Sequence, residues 1–206
     1  MRIVFATGNK DKMKEIKRIL AGIDAEVLSM KEAGVYEDVE ENGKTFSENA
    51  RIKADAIYEL LMEKEPELAD ETIVLADDSG LEVDYLGGEP GIYSARYLGK
   101  DTPYTEKNRI IIERLENAPE DERTARFVCA IAARLPGGRK LDTVGKMEGV
   151  IAHETAGENG FGYDPLFFLP QYGKTSAELS ADEKNAISHR GQALRKMEEL
   201  LRKELM

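Results

Sequence analysis

Residues 1–20, MRIVFATGNKDKMKEIKRIL, indicate the fold class, because a short apolar run is followed directly by a turn and a helical pattern. The run of residues 1–6 predicts a buried strand, which stops at the Thr-Gly-Asn sequence of residues 7–9. Apolar side chains then recur at helical spacing, at Met13, Ile16, Ile19 and Leu20. The stretch therefore predicts a strand followed by an amphipathic helix, which is typical of an α/β protein.

The lysines behind this turn have two interpretations. Lys10, Lys12, Lys14 and Lys17 lie close together in a chain whose net charge is −11. A row of charges on a helix is usually a solvated face. A helix N-terminus also offers N–H groups and the positive end of its dipole to an anion, which would suit a phosphate. For Lys14 and Lys17 we expect the solvated face.

Composition narrows the class of protein. A chain of 206 residues with 41% hydrophobic and 33% charged residues predicts one full-sized soluble domain, which is large enough to have two lobes. The acidic balance argues against a nucleic-acid-binding surface, and no apolar run is long enough to span a membrane. We expect no signal peptide, and we expect the one cysteine, Cys129, to be a core thiol in a reducing cytoplasm. These features favour a small ligand held by local cations, helix ends or a metal.

Further elements follow along the chain. A capping-box pattern predicts a helix over about residues 45–62, and TIVLA at residues 72–76 predicts a buried strand that ends at the DDSG sequence of residues 77–80. Another helix is expected to open at Thr105, and residues 124–135 and 140–152 read as a β-hairpin. A second capping box begins at Ser180, before the last helix. Helices alternate with strands early and a hairpin comes late, which predicts an α/β domain with a mixed sheet.

Carboxylates lie at two predicted turns. Asp77 and Asp78 follow a buried strand, at the end where open α/β sheets place their sites. Because successive strand residues point to opposite faces, both can aim at one ligand only if the strand ends between them. Glu40 and Glu41 lie in a second acidic turn before a helix. Carboxylates from separate turns suit Mg²⁺, although a structural turn and a solvated acidic loop explain each motif by itself.

Three further motifs carry polar or aromatic groups. Asn49 and Lys53 share a helical face, where a solvent-facing pair is the commoner case. In the sequence GENGFGYDPLFF, glycines alternate with Phe161 and Tyr163, so the aromatics either stack on a planar base or pack into the core. The start of the last helix gathers Lys184, His189 and Arg190, which are either solvated or available to a base or phosphate. If Lys184 and Arg190 share a ligand, we expect the helix to break around Ser188.

The order of these motifs resembles that of one family. TGNKDK, ENGKTFSENARIKA, LADDSGLEVDYLGGEPGIYSARY, GFGYDPLFF and EKNAISHRGQAL, in this order, closely resemble the inosine/xanthosine triphosphate pyrophosphatase family, or Ham1-like group. The resemblance extends from residue 1 to about residue 200. It implies an elongated mixed sheet flanked by helices, with two lobes in a single domain of residues 1–206 and the active site in the cleft between them. It also implies a Mg²⁺-dependent homodimer that cleaves ITP, dITP and XTP to the monophosphate and pyrophosphate.

The resemblance also implies roles for individual residues. Asp78 matches the family's general base, and Glu41 and Asp78 match its metal ligands. The other matching positions are implied substrate contacts: Thr7, Gly8, Asn9, Lys10, Asp11, Lys12, Lys53, Ser79, Phe161, Gly162, Tyr163, Asp164, Lys184, His189 and Arg190. Two alternatives stay open, namely a Maf-like pyrophosphatase with another base preference and a nucleotide sensor that does not hydrolyse. All three interpretations involve a nucleoside triphosphate as the small-molecule partner.

Overall fold

The protein is described here by a computed structural model, in which residues 1–205 are placed. The strands are β1 (Arg2–Phe5), β2 (Glu26–Ser29), β3 (Thr72–Val83), β4 (Thr124–Arg134), β5 (Lys140–Ile151), β6 (Phe167–Leu169) and β7 (Lys174–Thr175). The α-helices are α1 (Lys10–Ile19), α2 (Phe46–Lys64), α3 (Tyr104–Arg114), α4 (Ala181–Ile187) and α5 (His189–Leu205). Short 3₁₀ turns, among them Gly91–Arg96, connect several of these elements.

The strands form a mixed sheet in the order β2-β1-β3-β4-β5-β6-β7. Strand β1 pairs in parallel with both β2 and β3, whereas β6 pairs antiparallel with β5 and β7. Strands β4 and β5 are neighbours joined by the tight turn of Pro136–Gly138, as the predicted hairpin requires. The prediction of an α/β fold with a mixed sheet flanked by helices is confirmed.

The chain divides into two compact units, and each is described by itself. The first comprises Met1–Asp78, Cys129–Gly145 and the residues from Arg190 on, and the second comprises Ser79–Val128 and Lys146–His189. The single two-lobed domain stays a prediction. No helix among residues 1–205 is both long enough and apolar enough to cross a membrane.

In the first unit, helices cover both faces of the sheet. Because parallel crossovers are right-handed and β2 and β3 lie on opposite sides of β1, α1 and α2 must lie on opposite faces. Alternate residues of β3, Ile73 and Leu75, pack with Met13 of α1 and Leu194 of α5 in one core cluster. Val74 and Ala76, which follow Ile73 and Leu75 in turn, are fully buried and point to the other face. This alternation continues into the polar residues that follow.

In the second unit, a buried arginine joins the core elements. The cluster there includes Leu81 of β3, Ile111 of α3, Phe127 of β4 and Tyr163. Arg123 is 2% exposed, and its guanidinium donates to three backbone carbonyls, those of Leu115, Ile151 and Ala152, at 2.8–2.9 Å. A buried cation is stabilised here by peptide dipoles, including one at the C-terminal end of α3.

The structure corrects one predicted boundary and confirms others. Strand β3 continues to Val83, so the DDSG sequence lies within a strand and the predicted turn at residues 77–80 is wrong. Thr45 and Ser180 are N-caps, as the capping-box patterns predict, and each accepts a hydrogen bond from the backbone three residues on. Helix α4 ends at Ile187, Ser188 has extended backbone angles, and α5 begins at His189. The expected break around Ser188 is therefore present.

Candidate active site

The turn after β1 is closed by its own side chains. The Asn9 Oδ1 accepts from the backbone N–H groups of Asp11 and Lys12, at 2.9 and 3.1 Å, while the Thr7 hydroxyl accepts from the Asn9 N–H at 3.2 Å. Two N–H groups at the start of α1 are therefore already satisfied. Gly8 is exposed and has open space where a side chain would start. An anion at this turn would approach the backbone at Gly8 and Lys10 and the lysine ammonium groups.

The lysines of α1 have different surroundings. Lys14 pairs with Asp11 and Lys17 with Glu32 on the exposed surface, so the prediction of a solvated face for both is confirmed. Lys12 instead points inward, and its Nζ lies 2.9 Å from Asp77 Oδ2. Only 17% of the Lys12 side chain is exposed. This lysine alone among the three is directed at the middle of β3.

Asp77 is the centre of a buried cluster of charges. Its side chain is fully buried, and Oδ2 also lies 3.5 Å from Arg190 Nη2. Burial alone would raise the pKa of Asp77, but the charges of Lys12, Arg190 and Lys53 hold that pKa well below its usual range. The Asp77 backbone carbonyl accepts a hydrogen bond from Lys53 Nζ at 2.9 Å. One residue thus contacts three cationic side chains.

Asp78 has a different environment. Its Oδ2 accepts a hydrogen bond from Asn49 Nδ2 at 3.0 Å, and Asn49 Oδ1 accepts from the Gly43 N–H at 2.8 Å. A side chain at Gly43 would start 2.7 Å from Asn49 Oδ1, so only glycine fits there. Burial raises the pKa of Asp78 to about 6, and the charge of Glu41 also raises it. The hydrogen bond from Asn49 and the charge of Lys53 lower this pKa but do not cancel the effect of burial. The carboxyl is therefore poised to exchange a proton near neutral pH.

Lys53 and Glu41 complete this group. Lys53 Nζ lies 2.8 Å from Glu41 Oε1, and both side chains are largely buried. Burial lowers the pKa of Lys53, but the charges of Asp77, Glu41 and Asp78 outweigh it and the pKa is raised. The interpretation of Asn49 and Lys53 as a solvent-facing pair is wrong, because Asn49 is fully buried. Polar side chains of α2 therefore line the face of β3 that carries Asp78.

Glu41 and Asp78 have the donor chemistry of a magnesium site. Each offers carboxylate oxygens, and Lys53 lies next to both, since its Nζ is 2.8 Å from Glu41 Oε1 and 2.9 Å from the carbonyl of Asp77, the residue before Asp78. Among residues 1–205, no group of three or more His, Cys, Asp or Glu side chains is arranged to hold a metal. Mg²⁺ commonly uses one or two protein carboxylates, with waters and substrate phosphates as its other ligands. The residues present therefore fit Mg²⁺ bound together with a phosphorylated ligand.

The glycine-rich loop of the second unit is organised by Asp164. This carboxylate is 2% exposed and accepts from the Phe161 N–H at 2.8 Å, the Ser176 hydroxyl at 2.9 Å and Lys184 Nζ at 2.7 Å. Lys184 Nζ also lies 5.0 Å from the centre of the Phe161 ring. Gly160 has φ +74° and no room for a side chain, because Asp164 Oδ2 lies 2.2 Å from where it would start.

The two aromatic residues of this loop differ. Tyr163 is 4% exposed, its hydroxyl donates to the Ser94 carbonyl at 2.8 Å, and it packs in the core of the second unit. Phe161 is half-buried. The core interpretation therefore holds for the Tyr163 ring, and Phe161 is the aromatic of the loop with exposed surface. Ser79, also half-buried, follows Asp78 in β3.

The residues around the start of α5 are buried. The His189 ring is stacked on Phe127 with centroids 4.9 Å apart and planes at 14°, and the residue is 5% exposed. Arg190 is 2% exposed and forms ion pairs with Glu15 and Asp77. Burial lowers the pKa of Arg190, but these two carboxylates raise it further above its usual value. The solvated helix start is therefore wrong for both residues.

The structure brings the implied site residues into two groups. In the first unit, Lys12, Lys53 and Arg190 contact Asp77, and Glu41 pairs with Lys53. Asp78 follows Asp77 in β3 and lies on the other face, beside Asn49. In the second unit, Phe161, Asp164 and Lys184 contact one another, with Gly162 and Tyr163 in the same loop.

Several polar residues have roles that the sequence patterns do not predict. Asp77, Glu15, Lys107 and Asn108 are partly or fully buried and form specific contacts. A clue existed for Lys107 and Asn108, which lie at helical spacing from the buried Ile111. No comparable signal marks Glu15, whose partner Arg190 is distant in the chain.

Comparison of the sequence identifies relatives over its whole length. A sequence profile of the Ham1 family matches residues 3–200. A dITP/XTP pyrophosphatase of Clostridium perfringens is 50% identical over 201 residues, which cover 98% of this chain and 97% of the relative. A dITP/XTP pyrophosphatase of Caldanaerobacter subterraneus subsp. tengcongensis is 48% identical over 205 residues, covering 100% of this chain and 98% of the relative.

Solved structures agree with these matches. The Ham1 protein of Staphylococcus aureus has a TM-score of 0.85 at 40% identity, covering 99% of this chain and 100% of that chain. A HAM1 protein from Coxiella burnetii has a TM-score of 0.83 at 39% identity, covering 98% of this chain and 99% of that chain. The likeness therefore extends to nearly all of the chain in both sequence and structure.

Proposed function

Because this chain belongs to the Ham1 family, we propose that it is a nucleoside-triphosphate pyrophosphohydrolase that acts on deaminated purine nucleotides. The resemblance predicted from five motifs is thereby confirmed. Its substrates are dITP, XTP and ITP, and its products are the nucleoside monophosphate and pyrophosphate. The reaction removes deaminated purines from the nucleotide pool.

The observation that carries this proposal is the arrangement around Asp77 and Asp78. Lys53 lies between the Glu41 carboxylate and the backbone carbonyl of Asp77, next to Asp78, the carboxyl of raised pKa. Lys12 supplies a second ammonium group, which pairs with the Asp77 carboxylate. Ammonium groups bind and orient the phosphate chain, and a carboxyl group next to them can accept a proton. A binding protein would require the cations but would not require the proton acceptor.

We propose that the reaction is an attack of water on the α-phosphorus. The water oxygen forms a bond to phosphorus while the bond from that phosphorus to the bridging oxygen breaks, which releases pyrophosphate. The Asp78 carboxylate orients the water and accepts its proton. Asn49 holds this carboxylate from the side of α2, and Lys12 and Lys53 reduce the repulsion between the phosphate charges.

Mg²⁺ is part of the proposal. Glu41 and Asp78 would hold it together with phosphate oxygens, and the ion would neutralise charge on the triphosphate. Ion binding favours the ionised form of Asp78 and so opposes the effect of burial on its pKa. The acidity of the bound carboxyl is thus set by two opposing effects.

The loop of residues 161–164 is proposed to bind the base. Phe161 offers an aromatic face, and the neighbouring glycines allow close approach of the backbone to a planar ring. Hypoxanthine and xanthine have a keto oxygen at position 6, where adenine has an amino group. A donor that faces this oxygen is left unpaired by adenine, which costs about 1–3 kcal/mol for each group. The guanidinium of Arg190 is buried and paired with Glu15 and Asp77, so we expect a backbone N–H to supply this donor.

Two further properties belong to this proposal. We propose that the chain forms a homodimer, which sedimentation of the purified protein would test. We also propose that it works in the cytoplasm, where the nucleotide pool is located. Exposed aromatic side chains of the second unit, including Tyr85 and Tyr93, offer contact area for a second copy.

Turnover of ITP, dITP, XTP, GTP and ATP with Mg²⁺ tests the function, provided that pyrophosphate and orthophosphate are measured separately. We expect pyrophosphate from ITP, dITP and XTP, with GTP and ATP at least about tenfold slower. Faster turnover of dTTP or UTP than of ITP would instead support a Maf-like preference. Tight ITP binding without turnover would support a sensor, and release of orthophosphate would indicate a different cleavage.

A further inference from the structure

The first turns of α3 are built against the glycine-rich loop of the second unit. Asn108 is 3% exposed, and its Nδ2 donates to the Gly162 carbonyl at 3.2 Å. The Tyr104 ring packs on the backbone of Gly162, since a side chain added there would start 3.5 Å from the ring. The same ring meets Tyr163 edge to face, with centroids 5.1 Å apart. Two residues of α3 thus contact consecutive residues of the loop.

Asn108 is an unfavourable choice for stability alone. Its Oδ1 is buried and has no hydrogen-bond partner among residues 1–205. An unpaired buried amide oxygen is destabilising, whereas an apolar side chain of similar size would avoid this cost. The amide nitrogen nevertheless lies on the Gly162 carbonyl. The hydrogen bond to the loop therefore explains an asparagine at this position, whereas core packing does not.

Other contacts of α3 hold the helix in place beside the loop, next to the hydrogen bond from Asn108. Lys107 is 1% exposed, its Nζ donates to the Ala95 carbonyl at 2.7 Å, and it lies 4.8 Å from the Tyr104 ring centre. Tyr163 donates to the adjacent Ser94 carbonyl. Helix α3 and the loop are therefore both tied to the turn of Gly91–Arg96. Movement of the loop relative to α3 would break contacts on both.

Asn108 acts on the part of the loop that Asp164 does not hold. The Asp164 carboxylate binds the Phe161 N–H and Lys184, which fixes the start and end of the loop. Gly162 lies between them with φ +69°. Glycine adopts this backbone conformation easily but has no side chain to hold the backbone in it. The bond from Asn108 thus orients the peptide that joins Gly162 to Tyr163, one residue away from Phe161.

We propose that Asn108 is a positioning residue for base recognition, because its amide orients the Gly162 peptide and thereby the Phe161 ring. The proposal rests on the proposed function, in which the loop of residues 161–164 binds the purine. Asn108 acts through the loop and does not contact the phosphates. Its loss therefore weakens binding of the base while leaving binding of the triphosphate group unchanged.

The test compares Asn108→Leu with wild type and with Ile111→Ala, which removes core packing from the same helix. Leucine keeps the volume and removes the unpaired oxygen, so we expect thermal stability close to wild type. We expect KM for dITP and XTP to rise about tenfold with kcat changed less than about threefold. The inhibition constant of inorganic tripolyphosphate, which has no base, should stay within about twofold of wild type.

Three results would overturn the inference. These are an unchanged KM for dITP in Asn108→Leu, a parallel rise of KM and of the tripolyphosphate constant, and the same base-specific pattern in Ile111→Ala. If Asn108→Leu does not fold, Asn108→Ala replaces it with the same criteria. Wild type that releases no pyrophosphate would refute the proposed function instead. Calorimetric titration of dITP in EDTA then decides the inference, since about tenfold weaker binding to the variant supports it and equal binding refutes it.

Discussion

The carboxylates of Asp77 and Asp78, consecutive residues of β3, lie on opposite faces of the strand. Asp77 pairs with Lys12 of α1, whereas Asp78 accepts a hydrogen bond from Asn49 of α2. The opposite faces follow from strand alternation and from the right-handed crossovers that place α1 and α2 on either side of the sheet. The two acids consequently have opposite pKa shifts, lowered for Asp77 and raised for Asp78. One holds cations in place, and the other is available for proton transfer.

Replacement of the raised carboxyl should stop the reaction. Asp78→Asn keeps the size of the side chain and removes the proton acceptor, so kcat for dITP should fall by about 10²–10⁴-fold. Asp142→Asn, which alters a surface ion pair with Arg51, is the matched control and should keep wild-type kcat. A variant at position 78 with more than about a tenth of wild-type kcat would exclude Asp78 as the base.

The same carboxyl should make stability depend on pH in metal-free protein. Its pKa is raised from 3.8 to about 6 in the folded state, so its stabilising contribution is complete below pH 3.8 and is lost as the pH rises through 6. The loss by neutral pH is at most about 3 kcal/mol, since one pKa unit corresponds to about 1.4 kcal/mol. Urea unfolding in EDTA at several pH values would measure it.

Asp78→Asn serves as the comparison in that experiment, because asparagine does not ionise. The stability of this variant relative to wild type should increase between pH 4 and pH 7.5, whereas the titration of groups distant from Asp78 affects both proteins alike. A difference in unfolding free energy that does not change with pH would show that the Asp78 pKa is not raised.

The lysines of α1 should differ in their effect on substrate binding. Lys12→Met removes the ammonium beside Asp77, and we expect KM for dITP to rise about tenfold because the proposed contact with the phosphates is lost. Lys14→Met removes a lysine from the exposed face of the same helix and should leave KM unchanged. Steady-state kinetics at fixed ionic strength checks both variants. Equal effects of the two variants on KM would mean that substrate binding depends on the total positive charge of α1 and not on the position of Lys12.

The buried pair of Arg190 should contribute strongly to stability. Arg190→Met leaves the carboxylates of Glu15 and Asp77 without this partner, and removal of one member of a buried ion pair typically costs about 3–5 kcal/mol. Arg202→Met, which alters an exposed ion pair with Glu198 on the same helix, should cost less than about 1 kcal/mol. Urea unfolding would compare the two variants. A loss of unfolding free energy at position 190 as small as that at position 202 would refute the stabilising role of the buried Arg190 pair.

Features that depend on short stretches of chain were predictable from the sequence alone. Apolar spacing predicts α1 and the hairpin of β4 and β5, and the caps at Thr45 and Ser180 mark the starts of α2 and α4. These signals are local, because helical periodicity and capping involve residues three or four positions apart. The order of five motifs indicated the family for the same reason, since each motif is contiguous in the chain.

The burial of polar residues and the identity of their partners depend on the tertiary fold and were not predictable from local sequence. The DDSG sequence looks like a turn, yet β3 continues through it because partners on both faces satisfy its polar side chains. Local sequence predicts that Asn49 and Arg190 are solvated, yet both are buried against carboxylates. Asn49 contacts Asp78, and Arg190 contacts Glu15, which lies 175 positions away in the chain. A buried charge is tolerated only where distant segments supply its partner, and no local pattern encodes that meeting.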